Sequence, residues 1–391
     1  MHNISEIGSA CVGCFSCRCI CPHNAIEIAP DSEGFIYPNV IQDKCIQCGL
    51  CLKVCPVSNA HDTTPNRIKA YYGKMSDRDI VKKSSSGGAF TAFAQRVIEE
   101  DGIVFGAVFD KETKRIIYSD SESCSLDELR KSKYVASETG DIFKKVKMEL
   151  SKGRKVLFCG LPCHVDGLRI FLKKDSFIHN LITVDFICGG TASPAFFREY
   201  LEHLESNNRS KITYVNFRAK LYGWKEYTIK IDFDDGKSYK NYAMCDPFFK
   251  GYFEKTYQRD SCYHCQYRLK HYADITIADY WMGLQRGIHD NEGVSMIVAN
   301  SEKGLAFLKT ILSMEGHTFS EMSVENSDYA FKTERERYDK AFVKKKDFYK
   351  AVQNKGFLNA AKEFYLPHPK KARVRMQLSR LKNLIFERWR H

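Results

Sequence analysis

Eight cysteines of this chain repeat one spacing twice, as Cys11-x2-Cys14-x2-Cys17-x3-Cys21-Pro22 and Cys45-x2-Cys48-x2-Cys51-x3-Cys55-Pro56. Three thiols at steps of three on a tight loop can converge on three irons of one cubane, while the fourth, held before proline, points elsewhere. In this two-cluster spacing the fourth cysteine serves the other cluster. The expected ligand sets are therefore Cys11, Cys14, Cys17 and Cys55 for one [4Fe–4S] cluster, and Cys45, Cys48, Cys51 and Cys21 for the other. Zinc usually draws its four ligands from two separated C-x2-C pairs, so this run suits it poorly. Cys19 is an extra thiol inside the first motif and reads as a bystander. The chemistry so specified is the carriage of single electrons.

Of the 16 cysteines, seven lie beyond this region, and Cys163, Cys188, Cys262 and Cys265 among them have ligand-like settings. Cys163 follows Gly-Leu-Pro after one strand-like run, and Cys188 precedes Gly-Gly after another. Cys262-x2-Cys265 has the step that brings two thiolates onto one metal. A third [4Fe–4S] cluster, a zinc site on the same thiols, and unrelated buried cysteines are the three readings of this set. Cys124, Cys159 and Cys245 have no ligand-like neighbour. The run Lys83-Ser84-Ser85-Ser86-Gly87-Gly88-Ala89-Phe90 opens a helix, where backbone N–H groups meet a phosphate or where serine and glycine merely cap. His164 and His264 are candidate proton donors, although a lone histidine is more often structural. Asp279 ends a strand-like run, where it either functions or caps a turn. No catalytic acid or base is assigned.

The elements that must hold these residues follow from pattern. Residues 1–62 are cysteine-rich with little helical periodicity, and the polar stretch through Pro65 marks a boundary. Within them Ala25–Ile28 and Phe35–Tyr37 alternate like a small hairpin covering the clusters. Beyond the boundary, helices are expected over Ala89–Glu100, Asp141–Ser151 and Pro194–Leu204. Strands are expected over Gly102–Phe109, Lys155–Cys159, Leu181–Cys188 and Ile212–Phe217, with a hairpin of Tyr227–Phe233 and Ser238–Tyr242 turning at Asp234-Asp235-Gly236. The expected fold class is a multidomain α+β and α/β chain. It comprises a two-cluster ferredoxin domain (1–62), a mixed α/β redox domain (63–325) and a helical, basic C-terminal extension (326–391).

With 43% hydrophobic residues, a chain of 391 residues can bury a core without covalent staples. Nothing at the N-terminus resembles a signal sequence, and no apolar run approaches the roughly 18 residues that span a bilayer. The expected location is the cytoplasm, where structural disulfides do not persist and clustered cysteines bind metal. The net charge of +12 comes largely from the tail, where eight basic residues from Lys370 onward face Glu387 alone. No RNP, helix-turn-helix or zinc-finger pattern accompanies it, so nucleic acid is not an expected partner. In the tail, Val374, Leu378, Leu381, Ile385 and Trp389 form an apolar stripe that suits protein contact or peripheral contact with the inner membrane surface.

The chain resembles the coenzyme F420 hydrogenase/dehydrogenase beta subunit family. The resemblance is carried by Ser85-Ser86-Gly87-Gly88, Ser132-Lys133-Tyr134-Val135, Val156-Leu157-Phe158-Cys159-Gly160-Leu161-Pro162-Cys163 and Asp185-Phe186-Ile187-Cys188-Gly189-Gly190 with Ser193-Pro194. Further matches are Phe217-Arg218-Ala219-Lys220 with Gly223-Trp224, Cys262-Tyr263-His264-Cys265, and Asp274-Ile275-Thr276 with Asp279-Tyr280-Trp281. The resemblance implies an iron–sulfur flavoprotein oxidoreductase, with FAD held by Ser85, Ser86, Gly87, Gly88, Lys133 and Tyr134. It also implies an organic substrate or F420-like cofactor and a redox partner protein. The third cluster would then lie between the ferredoxin module and the flavin. Where His164, Gly189 and Met282 stand, family members often have Gln, His and Gly, which puts F420 itself in doubt as substrate. Bacteria that do not make F420 carry similar proteins near surface-polysaccharide genes. The alternative is an electron-transfer subunit serving a partner enzyme, without a substrate of its own.

Overall fold

Between the two cysteine motifs, strands β1 (Ile26–Pro30) and β2 (Ile36–Val40) pair antiparallel as a hairpin. The computed structural model describes residues 2–59, 61, 66–226, 228–286, 290–332 and 338–365, together with 374 and 378. Short helices Ser16–Ile20 and Leu50–Lys53 carry the later cysteines of each motif. They pack with Ile4, Ile26, Val40 and Leu52 into a small core of their own.

The larger region is built on a mixed nine-stranded sheet. Its strands are β3 (Lys69–Gly73), β4 (Ile103–Asp110), β5 (Arg115–Asp120), β6 (Ser137–Glu138), β7 (Val156–Cys159) and β8 (Leu181–Phe186), and three more come later in the chain. The chain leaves this sheet to form a second, three-stranded one from β9 (Ile212–Ala219), β10 (Thr228–Phe233) and β11 (Ser238–Tyr242). It then returns with β12 (Ile275–Asp279), β13 (Ser295–Ala299) and β14 (Ser320–Met322). The large sheet runs β14-β3-β13-β12-β8-β7-β4-β5-β6. Strands β12, β8, β7 and β4 are mutually parallel, and antiparallel strands flank them. The parallel strands β7 and β8 are almost wholly buried, and the two polar residues of β8, Thr183 and Asp185, are hydrogen-bonded to Asp274 and Thr276. The expected β10–β11 hairpin forms, with Gly236 at φ +80° in its turn.

The ferredoxin module is fastened to this domain at several points. Gly34, at the hairpin tip with φ +81°, sits so close to Ala195 that a Cβ there would come within 2.3 Å of the alanine Cβ. Ser193 Oγ donates to Glu33 O at 2.6 Å, and Thr139 Oγ1 donates to Cys14 O at 3.0 Å. His61 donates to the buried Asp166 carboxylate at 2.8 Å.

The boundary expected near residue 325 is not where the packing ends. Helices Tyr338–Lys355 and Phe357–Tyr365 send Phe348, Phe357, Ala360 and Ala361 into the core built around Phe196, Phe248 and Tyr257. Aromatic side chains at helical spacing were there to be buried. The apolar stripe of the tail lies outside the described residues apart from Val374 and Leu378, which are exposed. Among the described residues, no helix is long and apolar enough to cross a membrane.

Candidate functional site

The thiols of the N-terminal module gather into the two expected groups. Burial pushes the Cys14 thiol up to about 12, against its hydrogen bond with Ser16, and Cys11 and Cys55 add to the rise. Burial also drives Cys17 well above the ordinary thiol range, with Cys14, Cys11 and Cys55 adding. Cys21, Cys45, Cys48 and Cys51 line a second hollow, shared with His2, His23 and Ile46. The two groups differ in exposure: Cys14, Cys17 and Cys55 are buried, whereas Cys48 is exposed beside Ile46, itself 65% exposed. Cys19 is apart from both, and its thiol points at Gly140 O, 3.7 Å away.

Because Cys21 lines the hollow of Cys45, Cys48 and Cys51, Cys21→Ser is expected to damage the cluster of that group alone. EPR spectra of the reduced variant check this; loss of the other cluster's signal instead would overturn the ligand sets.

The loops after two parallel strands build a third group. Cys163 opens the helix Pro162–Leu172 just after β7, and Cys188 follows β8. Cys262 lies in the short helix Asp260–Tyr263, with Cys265 just past its end. Burial drives Cys163 well above the ordinary thiol range, with Cys265, Cys188, Cys262 and Cys14 adding in that order. Cys188 is raised by burial and then by Cys262 and Cys265, and Cys265 is pushed up to about 11 by burial and Cys262. Four half-buried thiols brought this close together suit a cationic iron–sulfide core, which binds them as thiolates. Among the described residues, no three ligand-type side chains close on a single ion. A cubane makes no such demand, because its four thiolates bind four different irons.

One helix links this third group to the ferredoxin module. Gly167 stands one turn after Cys163 on the helix Pro162–Leu172, and so on the same face. A Cβ at Gly167 would come within 2.8 Å of Cys14 Sγ, and Ser16 Oγ donates to Gly167 O at 3.0 Å.

On the other side of Cys188 lies a cavity of about 560 Å³ at the carboxyl ends of β7, β8 and β12. Open α/β sheets place ligands at this edge. Ser85, Ser86, Gly88, Lys133 and Tyr134 line it, as do Cys159, Cys188, Gly189 and Asp279. Gly88, at φ +95°, begins the helix Ala89–Glu99 without a side-chain cap, and this uncapped amino end borders the cavity. Thr91 Oγ1, in the same turn, is buried and has no hydrogen-bond partner.

One residue of the expected FAD set, Gly87, is placed otherwise, and Lys133 lines the cavity with its ammonium already engaged. Gly87 stands behind the cavity wall: its N–H donates to Ser295 Oγ at 2.9 Å, and a Cβ there would come within 2.4 Å of Gly73 O. The Lys133 ammonium donates to the carbonyls of Glu128, Leu129 and Arg130, closing a short helix end. Burial lowers it to about 7. Of the residues not singled out from sequence, Lys220 donates to Ser86 O at 2.7 Å and Val81 O at 2.8 Å, bracing the serine–glycine loop. Its signal was its place in Phe217-Arg218-Ala219-Lys220.

Neither histidine reads as a proton donor to this cavity. His164 is 2% exposed, held 3.2 Å from the Tyr118 hydroxyl, and lowered to about 3 by burial and then by Arg259. His264 is exposed. Asp279 accepts from Trp224 Nε1 at 2.8 Å and from Arg218 Nη1 at 2.5 Å, so its carboxylate is tied down.

Residues 153–325 match the family model for the C terminus of the coenzyme F420 hydrogenase/dehydrogenase beta subunit, and residues 10–59 match a 4Fe–4S dicluster domain. The coenzyme F420-dependent sulfite reductase of Methanocaldococcus jannaschii is 31% identical over 177 residues, covering 43% of this chain and 26% of that protein. The match thus spans about a quarter of that relative's length. A 7Fe ferredoxin of Hydrogenibacillus schlegelii is 37% identical over 81 residues, 20% of this chain and 95% of the ferredoxin. Among solved structures, a chain of the F420-reducing [NiFe] hydrogenase complex from Methanosarcina barkeri gives a TM-score of 0.49 at 17% identity, over 76% of this chain and 97% of that one.

Proposed function

We infer, for a chain that belongs to the coenzyme F420 hydrogenase/dehydrogenase beta subunit family, that it is a flavin-dependent iron–sulfur oxidoreductase. In this reading, Cys163, Cys188, Cys262 and Cys265 would hold a third cluster that relays single electrons between the ferredoxin clusters and FAD in the adjoining cavity. The observation that carries it is continuity: Gly167 touches Cys14, Cys163 lies one turn away, and Cys188 belongs both to the third thiol group and to the cavity wall. FAD would supply the exchange of two electrons with a substrate and of one at a time with clusters.

The chain's own residues fit that group. The amino end of the helix Ala89–Glu99 and the Thr91 hydroxyl suit a pyrophosphate, and the cavity is within the range of ligand sites. Lys220 and Lys133 hold the two loops that shape it. The substrate is an organic molecule or an F420-like cofactor, and a redox partner protein meets the exposed Cys48 side. That exposed ligand also favours a second reading, a carrier serving a partner enzyme. Anaerobic purification is expected to give about twelve irons and one FAD per chain. Full iron with no flavin retained at micromolar FAD would leave the carrier reading.

A further inference from the structure

Arg259 is buried, at 3% exposure, where the ferredoxin module meets the third thiol group. Its Nε donates to Cys11 O at 2.7 Å and its Nη2 to Ile36 O at 2.8 Å, both within the ferredoxin module. The guanidinium lies 4.1 Å from the centre of the Tyr37 ring. It also lies against Gly13, where a Cβ would come within 3.0 Å of Nη1, so the first cluster loop is shaped around it. Its backbone serves the other group: Arg259 caps the helix Asp260–Tyr263, and its carbonyl accepts the Cys262 N–H at 2.9 Å.

All of these partners are neutral. Among the described residues no ion pair includes Arg259. The adjacent Asp260 carboxylate is turned to Lys345, 2.5 Å away, and Asp31 accepts the N–H groups of Glu33 and Phe35. A buried cation without a counter-charge is costly. Yet eight thiols in two groups flank this one, and a cubane with its four thiolates carries a net charge of about −2 oxidised and about −3 reduced.

We propose that Arg259 is the counter-charge shared by the first ferredoxin cluster and the third cluster, and that it raises the reduction potential of both. The proposal rests on the reading of those thiols as cluster ligands. A fixed positive charge in a low-dielectric junction favours the reduced state, which is more negative by one charge, over the oxidised one. The electron one cluster loses is gained by the next, and no bond changes. Arg259 is a positioning residue as well, because its fork ties the Cys11 loop to the start of the Cys262 helix.

The test is an EPR-monitored redox titration of the anaerobically prepared full chain, with iron counted in each sample. Arg259→Gln is expected to keep about twelve irons and to shift the two potentials downward by a tenfold change in the reduction equilibrium, about 59 mV for one electron. Arg259→Lys, which keeps the charge and loses the fork, is expected to stay near wild type. Unchanged potentials in a fully loaded Arg259→Gln overturn the proposal while leaving the cluster reading intact. A shift in the lysine variant as large as in the glutamine variant also overturns it, because geometry and not charge would then be responsible. If the glutamine variant fails to load, a loaded lysine variant near wild type supports the proposal, and one whose two potentials fall by that tenfold overturns it. Wild-type protein with only about eight irons removes the third cluster and the proposal with it.

Discussion

Replacing Cys262 and Cys265 together by serine is expected to lower the iron content from about twelve to about eight per chain. It should also stop electrons from the ferredoxin clusters reaching the cavity. These two thiols contribute to the rise at both Cys163 and Cys188, so their removal leaves two ligands where a cubane takes four. The two N-terminal groups use none of these residues and should keep their EPR signals. Anaerobic iron analysis, with flavin bleaching followed after addition of a one-electron donor, checks both parts. An unchanged iron count would dispose of the third cluster, and normal bleaching without it would show that electrons take another route.

Gly87→Val is expected to abolish retention of flavin while leaving iron untouched. Backbone surrounds the position, with Gly73 O at 2.4 Å and Ser295 N at 2.7 Å from where a Cβ would stand, and neither can move aside as a side chain could. Overpacking of this kind costs about 1–3 kcal/mol, and here the chain can relieve it by displacing the loop Ser84–Gly88 into the cavity. The Lys220 bonds to Ser86 O and Val81 O would break with that displacement. Flavin absorbance after gel filtration of the metallated variant is the measurement. Wild-type flavin content would mean that this loop does not shape the flavin site.

Sequence and structure agree best where the information is local. The ligand sets of the ferredoxin module follow from steps of three residues, and the hairpins follow from alternation about a turn such as Asp235-Gly236. The third group is different in kind: Cys163 and Cys265 are brought together only because β7 and β8 are adjacent and parallel, with the later segment returning across them. The strand-end settings of Cys163 and Cys188 hinted at this, and the motif spacing could not. Arg259 left no signal at all, since its contact with Cys11 spans 248 positions. Lys133 lines the cavity as its motif suggested, and the sequence did not foretell that its ammonium would also bind three carbonyls at a helix end. Packing continues past residue 325 because two helices beyond it each bury an aromatic side chain, Phe348 and Phe357.

Lys345 stands on the helix Tyr338–Lys355, yet its ammonium reaches Glu33 of the ferredoxin hairpin at 2.7 Å and Asp260 at 2.5 Å. Ribosomal synthesis runs from the other end, so the cysteine module emerges some three hundred residues before the lysine that pins it. During that interval the hairpin lacks this ion pair. The contacts of Lys345 with Glu33 and Asp260 are therefore among the later ones to form as the chain is made.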